Sequence, residues 1–245
     1  MKGRHQYSLI RELYTTMPRG IPLDMPTLQK IGISNQRAAN YAKSGWLTRV
    51  AHGVYALPNE PLGLPAALSY LSRNIDGLHI GGSSSLLTHT GQTLVLWGDA
   101  RLSLPRWFSE RFGARYTHAR LFDWSVSSVQ CVTLMDASQA LGGIQCSTPE
   151  RALLEMLYEI GGKQSLEGAR QIFSQVGALC PDTVGYLLKC CTSVKAVRLF
   201  LKWARETGVL NVDEVLRQHC IPVGSTSRWI TRLKDGSMLS LKPYG

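Results

Sequence analysis

Gly32, Ser34 and Gly45 punctuate the segment Asp24–Leu57 so closely that it reads as a helix, a tight turn, a second helix and a hairpin. Glycine lacks a Cβ and enters the left-handed conformation that ends helices at little cost, so Gly32 closes the first helix. Ser34 then offers a side-chain oxygen to the orphan N–H groups that open the second. Only Ile31–Ser34 lie between the two. Ala38, Tyr41 and Ala42 fall three and four residues apart on one face, leaving Asn35, Gln36, Ala39, Asn40 and Lys43 outward. After Gly45, Leu47–Val50 and Val54–Leu57 flank Ala51-His52-Gly53 as a short two-stranded wing. The succession is that of a winged helix-turn-helix.

The outward side chains suit base edges. Asn and Gln pair bidentately with adenine, Arg and Lys with guanine, and a small Ala lets the helix approach closely in the major groove. The exposed face also carries Arg37, Lys43, Arg49 and His52, and no acidic residue occurs between Asp24 and Glu60. The candidate DNA-binding residues are therefore Ser34, Asn35, Gln36, Arg37, Asn40, Lys43, Arg49 and His52. Of these, Asn35, Gln36, Arg37 and Asn40 are expected to read or position bases, and Lys43, Arg49 and His52 to hold phosphates. Charge is placed unevenly along the chain. Residues 1–60 hold eight Lys/Arg against three Asp/Glu, residues 61–180 balance at nine each, and residues 181–245 hold ten against five. Basic ends around a neutral middle point to a polyanionic partner, whose phosphates release counterions when neutralised.

With 245 residues, 44% of them hydrophobic, the chain can bury more core than its first 60 residues account for. Three prolines and a glycine within Pro58–Pro65 mark a connection. The expected organisation is a winged helix-turn-helix domain over residues 1–60 and a larger, mixed α/β, helix-rich domain over residues 61–245, an α+β chain overall. In the second part Ala66–Arg73 reads as a helix, Leu78–Gly81 as a strand, and Ser83–His89 as a short helix. Thr93–Trp97, Ala114–Phe122 and Val129–Leu134 read as further strands. Gln145–Ile160 supplies a helix start, with Ser147 or Thr148 as cap, Pro149 in the first turn and Glu150 opposing the helix dipole. The pattern stays mainly helical to Glu214, and short strands around Lys234-Asp-Gly236 close the chain. No apolar run reaches membrane-spanning length and no signal-like core follows the first residues, so a cytosolic protein without a membrane partner is expected. The six cysteines show no metal-ligand spacing, and reduced, mostly packed thiols are expected.

Two segments together resemble a known family. Gly45–Pro58, spanning the wing, and Ser147–Glu155 are similar to the AbiEi antitoxins of type IV toxin–antitoxin, or abortive-infection, systems, which serve phage defence. The resemblance implies an N-terminal winged helix that binds inverted repeats in double-stranded operator DNA and represses its own operon. It also implies a C-terminal domain that counteracts a cognate AbiEii-like nucleotidyltransferase toxin, with no enzymatic activity and no cofactor in the antitoxin itself.

Other constellations carry less. Gly81-Gly-Ser-Ser-Ser85 has the look of a nucleotidyltransferase loop, but no Asp-x-Asp pair follows to hold Mg²⁺; the next acidic residue is Asp99. His79, His89 and His118 have no ligand-like spacing, and no hydrolase or P-loop motif occurs. Lys195, Arg198, Lys202 and Arg205 recur at helical spacing and form a candidate basic stripe, open to solvation, to DNA flanking the operator or to an acidic partner. A one-component regulator whose C-terminal domain senses a small molecule stays open as the alternative to the repressor and antitoxin; it would require a pocket of convergent polar groups.

Overall fold

The structure, a computed structural model, describes residues 2–87, 93–125, 132–135, 144–234 and 236–243. The described residues fall into two compact units, one taking those of 2–75 and Pro105–Phe112, the other those of 76–87, 93–104, 113–125, 132–135, 145–234 and 236–243. Among the described residues, no helix is long and apolar enough to cross a membrane.

The first unit opens with α1 (Lys2–Thr16), whose Leu9, Ile10 and Leu13 are buried. Then come β1 (Leu23–Asp24), α2 (Met25–Lys30), α3 (Asn35–Lys43), β2 (Thr48–Ala51), β3 (Val54–Ala56) and α4 (Leu64–Ser72). Strands β2 and β3 are antiparallel, with Thr48 opposite Ala56 and Arg49 opposite Tyr55. A register shift between Arg49 and Ala51 and the left-handed Gly53 (φ 72°) turn the hairpin at His52 and Gly53. The sequence does not announce β1, which pairs Leu23 with Tyr55 and Asp24 with Val54 and so makes β3 the central strand of three. Ile10 and Leu13 from α1, Leu28 from α2, Ala38 and Tyr41 from α3, and Leu47, Tyr55 and Leu57 from the wing close one core.

The second unit begins with β4 (His79–Ile80), α5 (Ser83–Leu86) and β5 (Leu94–Gly98). Helix α6 (Arg106–Phe112) belongs to the first unit, and the chain returns as β6 (Ala114–His118), β7 (Val132–Met135) and β8 (Ile144–Ser147). These strands form one sheet in the order β6-β5-β4-β8-β7, with β5 parallel to β6 and β4 parallel to β8. Gln145–Ser147 is thus a strand, where the sequence pattern suggested the approach to a helix, and α7 (Pro149–Glu159) starts only at Pro149. Helices α8 (Leu166–Gln175), α9 (Pro181–Cys190), α10 (Val194–Thr207) and α11 (Val212–Gln218) follow, then the antiparallel hairpin β9 (Trp229–Arg232) and β10 (Met238–Leu241). The expected His89 end of α5 and residues 129–131 of the expected fourth strand lie outside the described residues.

Helix α7 packs against α5, α8, α9 and α10, and is buried nearly all round: Ala152, Leu153, Leu154, Met156 and Leu157 are fully enclosed. Its glutamates are enclosed too, and each is supplied with donors. Glu155 accepts from His79 Nε2 (2.9 Å), the Gly82 N–H (2.9 Å), Ser147 Oγ (2.9 Å) and Arg151 Nε (2.7 Å). Glu159 receives both Arg115 nitrogens (2.5 and 2.6 Å) and Thr117 Oγ1 (2.6 Å). Glu150 accepts the Cys180 N–H at 3.0 Å, and Thr148 caps the helix without a side-chain bond. The glycine-serine loop is shaped around this carboxylate. A Cβ on Gly81 would overlap Glu155 Oε2, and Gly82 takes a positive φ of 54° that turns its N–H inward. Ser84 Oγ accepts from Val95 N (2.8 Å) and Ser85 Oγ donates to Ser147 O (2.6 Å), so the serines stitch the sheet together.

Complete burial by itself pushes the Glu155 carboxyl up, but the hydrogen bonds and charges of His79 and Arg151 outweigh burial and hold its pKa below the usual glutamate value. A carboxyl depressed in the folded state contributes stability above its unfolded pKa of about 4.3, and the contribution is lost as pH falls through the lower folded value. Glu155→Gln removes the buried charge on which His79 and Arg151 converge, at an expected cost of about 3–5 kcal/mol in urea unfolding. Wild type should also lose more stability than the variant on acidification below about pH 4; parallel pH profiles would refute the assignment.

Candidate nucleic-acid interface

Each turn of the first unit that sets the recognition helix is fixed by a local bond. Asp24 Oδ1 accepts from Thr27 N at 2.9 Å and opens α2, with Pro26 in the first turn. Gly32 is left-handed (φ 79°), and the Gly32 and Ile33 N–H groups return to Gln29 O (2.9 Å) and Leu28 O (3.0 Å), which ends α2 abruptly. Ser34 Oγ accepts from Arg37 N at 3.4 Å and caps α3. Gly45 (φ 81°) ends α3, and Tyr14 Oη donates to Trp46 O at 3.0 Å, tying α1 to the start of the wing.

Ala38 and Tyr41 are buried and Ala42 is half-buried, so the inward face is the one the spacing indicates. Asn35, Gln36, Arg37, Asn40 and Lys43 are exposed, Ala39 half-buried, and Arg49 and His52 exposed on the wing. The polar side chains of α3 engage only long, solvent-facing bonds: Gln29 Nε2 to Asn35 Oδ1 at 3.3 Å, Gln36 Nε2 to Asn40 Oδ1 at 3.4 Å, and Arg37 Nη1 to Gly32 O at 3.3 Å. Arg49 Nε reaches Ala51 O at 3.4 Å. Bonds of this length are weak and exchange readily for an incoming base or phosphate. Ser34 uses its oxygen as an acceptor for the cap, which is compatible with donating its own proton to a phosphate. Trp46, 41% exposed and set edge-on to Tyr14 at 6.1 Å, joins the same surface. Its exposure follows from the Gly45 turn.

The basic stripe of α10 requires a correction. Only Lys202 and Arg205 lie on the surface, paired with Glu206 (3.9 Å) and Asp213. Arg198 is 2% exposed, and its guanidinium donates to the carbonyls of Val223 (2.8 Å), Ser227 (2.9 Å) and Ser225. Lys195 turns back over the Tyr158 ring and donates to Tyr158 O and Ile160 O, both at 2.6 Å, at the end of α7. Burial pushes its ammonium pKa down. Helix spacing aligned the four residues, but α10 is buried on more than one side, so two of them point into protein. Cys180 and Cys220 are exposed rather than packed, while burial pushes the Cys191 thiol up to about 12.

The described residues include no cluster of His, Cys, Asp and Glu able to hold a metal ion. The Ser147–Glu155 segment and the Gly81–Ser85 loop turn their polar atoms on one another, so their motif is a packing device. Sequence spacing missed this arrangement because its partners, His79 and Glu155, are 76 residues apart.

In fold, the chain is similar to the crystal structure of the RV2827C protein from Mycobacterium tuberculosis, with a TM-score of 0.55 over 93% of this chain and 89% of that one, at 13% identity. No protein of curated function matches it in sequence. Residues 6–96 match the family model described as a transcriptional regulator, AbiEi antitoxin N-terminal domain. Residues 91–242 match that of the transcriptional regulator, AbiEi antitoxin, of type IV toxin–antitoxin systems. The chain therefore belongs to the AbiEi antitoxin family of transcriptional regulators.

Proposed function

We propose that the protein is an autorepressor and antitoxin: residues 1–60 bind inverted repeats in the promoter of their own operon, and residues 61–245 counteract a nucleotidyltransferase-like toxin. The observation that carries the DNA reading is the exposed face of α3 and the wing, which presents Arg37, Lys43, Arg49 and His52 without a carboxylate among them. Asn35, Gln36, Arg37 and Asn40 read or position bases, while Lys43, Arg49 and His52 hold phosphates, and Ser34 caps the helix at the same surface. The antitoxin role and the toxin partner rest on family membership.

Gln36→Ala should lose about 1–3 kcal/mol of discrimination for own-promoter over unrelated DNA. Arg49→Ala should weaken both together and lower the salt slope by about one. Titrations over a range of salt concentrations measure both effects, and unchanged affinity and slope in both variants would remove the interface. One recognition helix per chain reads a half-site, so at least two protomers should occupy each operator, on half-sites spaced by whole helical turns. Mass measurement of the complex with footprinting tests this; a single chain on an unrepeated half-site contradicts it.

If the activities reside in separate parts of the chain, Arg37→Ala with Asn40→Ala should abolish operator binding and still protect cells from the toxin, both proteins being expressed from an unrelated promoter. Loss of protection in the folded double variant would refute separability. Charge reversal across the α10 stripe is no test of neutralisation, because reversing Arg198 would bury an unpaired carboxylate among carbonyls.

A further inference from the structure

A groove of about 460 Å³ runs between α10 and the end of β10. One wall presents Arg198, Lys202 and Arg205; the other presents Ser240, Leu241, Lys242 and Pro243. Among the described residues, four cations and one carboxylate, Glu206, line it. That carboxylate is committed elsewhere: Arg170 binds it at 2.9 Å, leaving Lys202 at 3.9 Å. Arg205 is paired with Asp213 from outside the groove, so the described positive charge that remains is that of Arg198, Lys202 and Lys242. Arg198 adds a buried positive charge whose described partners are three carbonyls, which accept from three of its N–H groups and leave its charge in the wall. Lys202 is 52% exposed on a flexible stem and also lines a second cavity of about 780 Å³ on its other side, so its ammonium has room to swing towards a ligand. Leu241 and Pro243 supply an apolar strip beside the cations.

A concave site of this size, part apolar and carrying unbalanced positive charge, suits a small ligand with an anionic end and a flat organic body. We propose that this groove binds a nucleotide, its phosphates held by Lys202 and Lys242 and its base against Leu241 and Pro243. The site is independent of the DNA-binding surface of α3 and would make the second unit a receptor for a phosphorylated small molecule.

Calorimetric titration of the full-length protein with ATP, adenosine and inorganic pyrophosphate, in parallel with thermal melting, tests this. ATP should bind saturably at one site per chain and raise the melting temperature, pyrophosphate should bind more weakly, and adenosine should not bind measurably. Lys202→Gln and Lys242→Gln change exposed side chains and should each raise the ATP dissociation constant about tenfold, as expected for loss of a charge-assisted contact. Arg49→Gln, on the wing, should leave it unchanged. No saturable ATP binding, binding indifferent to both lysine variants, or binding weakened equally by Arg49→Gln would overturn the site. Equal affinity for pyrophosphate and ATP would reduce it to a general anion site and overturn the nucleotide assignment. Because each lysine is replaced singly and melting reports the fold, a loss of binding is separable from unfolding.

Discussion

A carboxylate withdrawn from water takes up a proton unless the protein replaces its hydration with donors. Glu155 has none of its surface in solvent, and its four donors come from three separate places: His79 in β4 with Gly82 just after it, Ser147 at the end of β8, and Arg151 one turn earlier on α7. Satisfying this one side chain therefore fixes where the parallel pair β4 and β8 ends, which way the Gly81-Gly82 loop turns, and how α7 leaves the sheet. One turn later Glu159 repeats the arrangement with Arg115 and Thr117 of β6. Two buried carboxylates, i and i+4 on one helix, thus bind α7 to the two halves of the sheet. Such networks contribute little net stability over an apolar core, but they penalise every misregistered alternative, since each leaves a charge unpaired.

The first unit is held on other terms. Its core is small and almost wholly apolar, and the side chains it presents outward are long, polar and loosely bonded. This separates the work of folding from the work of binding. Tyr41 and Ala38 secure α3 from one side while Gln36, Arg37 and Asn40 remain adjustable on the other. The absence of acidic residues from Met25 to Asn59 matters in the same sense. A carboxylate there would offer each cation an internal partner and repel an approaching phosphate, weakening the long-range attraction that brings DNA to the surface.

How much of this the sequence disclosed depends on the distance over which each feature is specified. Gly32, Ser34 and Gly45 act on bonds to residues three to five positions away, so the turns of the winged helix were legible without a structure. Helix α1 has helical spacing at Leu9, Ile10 and Leu13, but no acidic residue in its first turn marks a start. Strand β1 is two residues long and exists only because Tyr55 and Val54, some thirty residues later, pair with it. Periodicity carries no such information. No Asp-x-Asp pair follows the Gly-Gly-Ser-Ser-Ser loop, and what the loop packs on, Glu155, lies 73 residues beyond Gly82.

The α10 stripe is the most instructive case. Helical spacing establishes that Lys195, Arg198, Lys202 and Arg205 are near neighbours, but solvent is assigned to a basic face only by the rarity of buried arginine. Here residues 223–227 wrap the guanidinium of Arg198 with carbonyls, which replaces its water without neutralising its charge. A surface lysine loses most of its field to solvent, whereas a charge in a protein wall is screened far less. Burial of Arg198 therefore strengthens the positive potential of the adjoining groove more than a fourth exposed cation would, and it does so from a side chain that cannot swing away. The same residue closes the fold around the segment before β9 and polarises the concavity beside β10, so the chemistry of that groove is a consequence of how the chain is pinned.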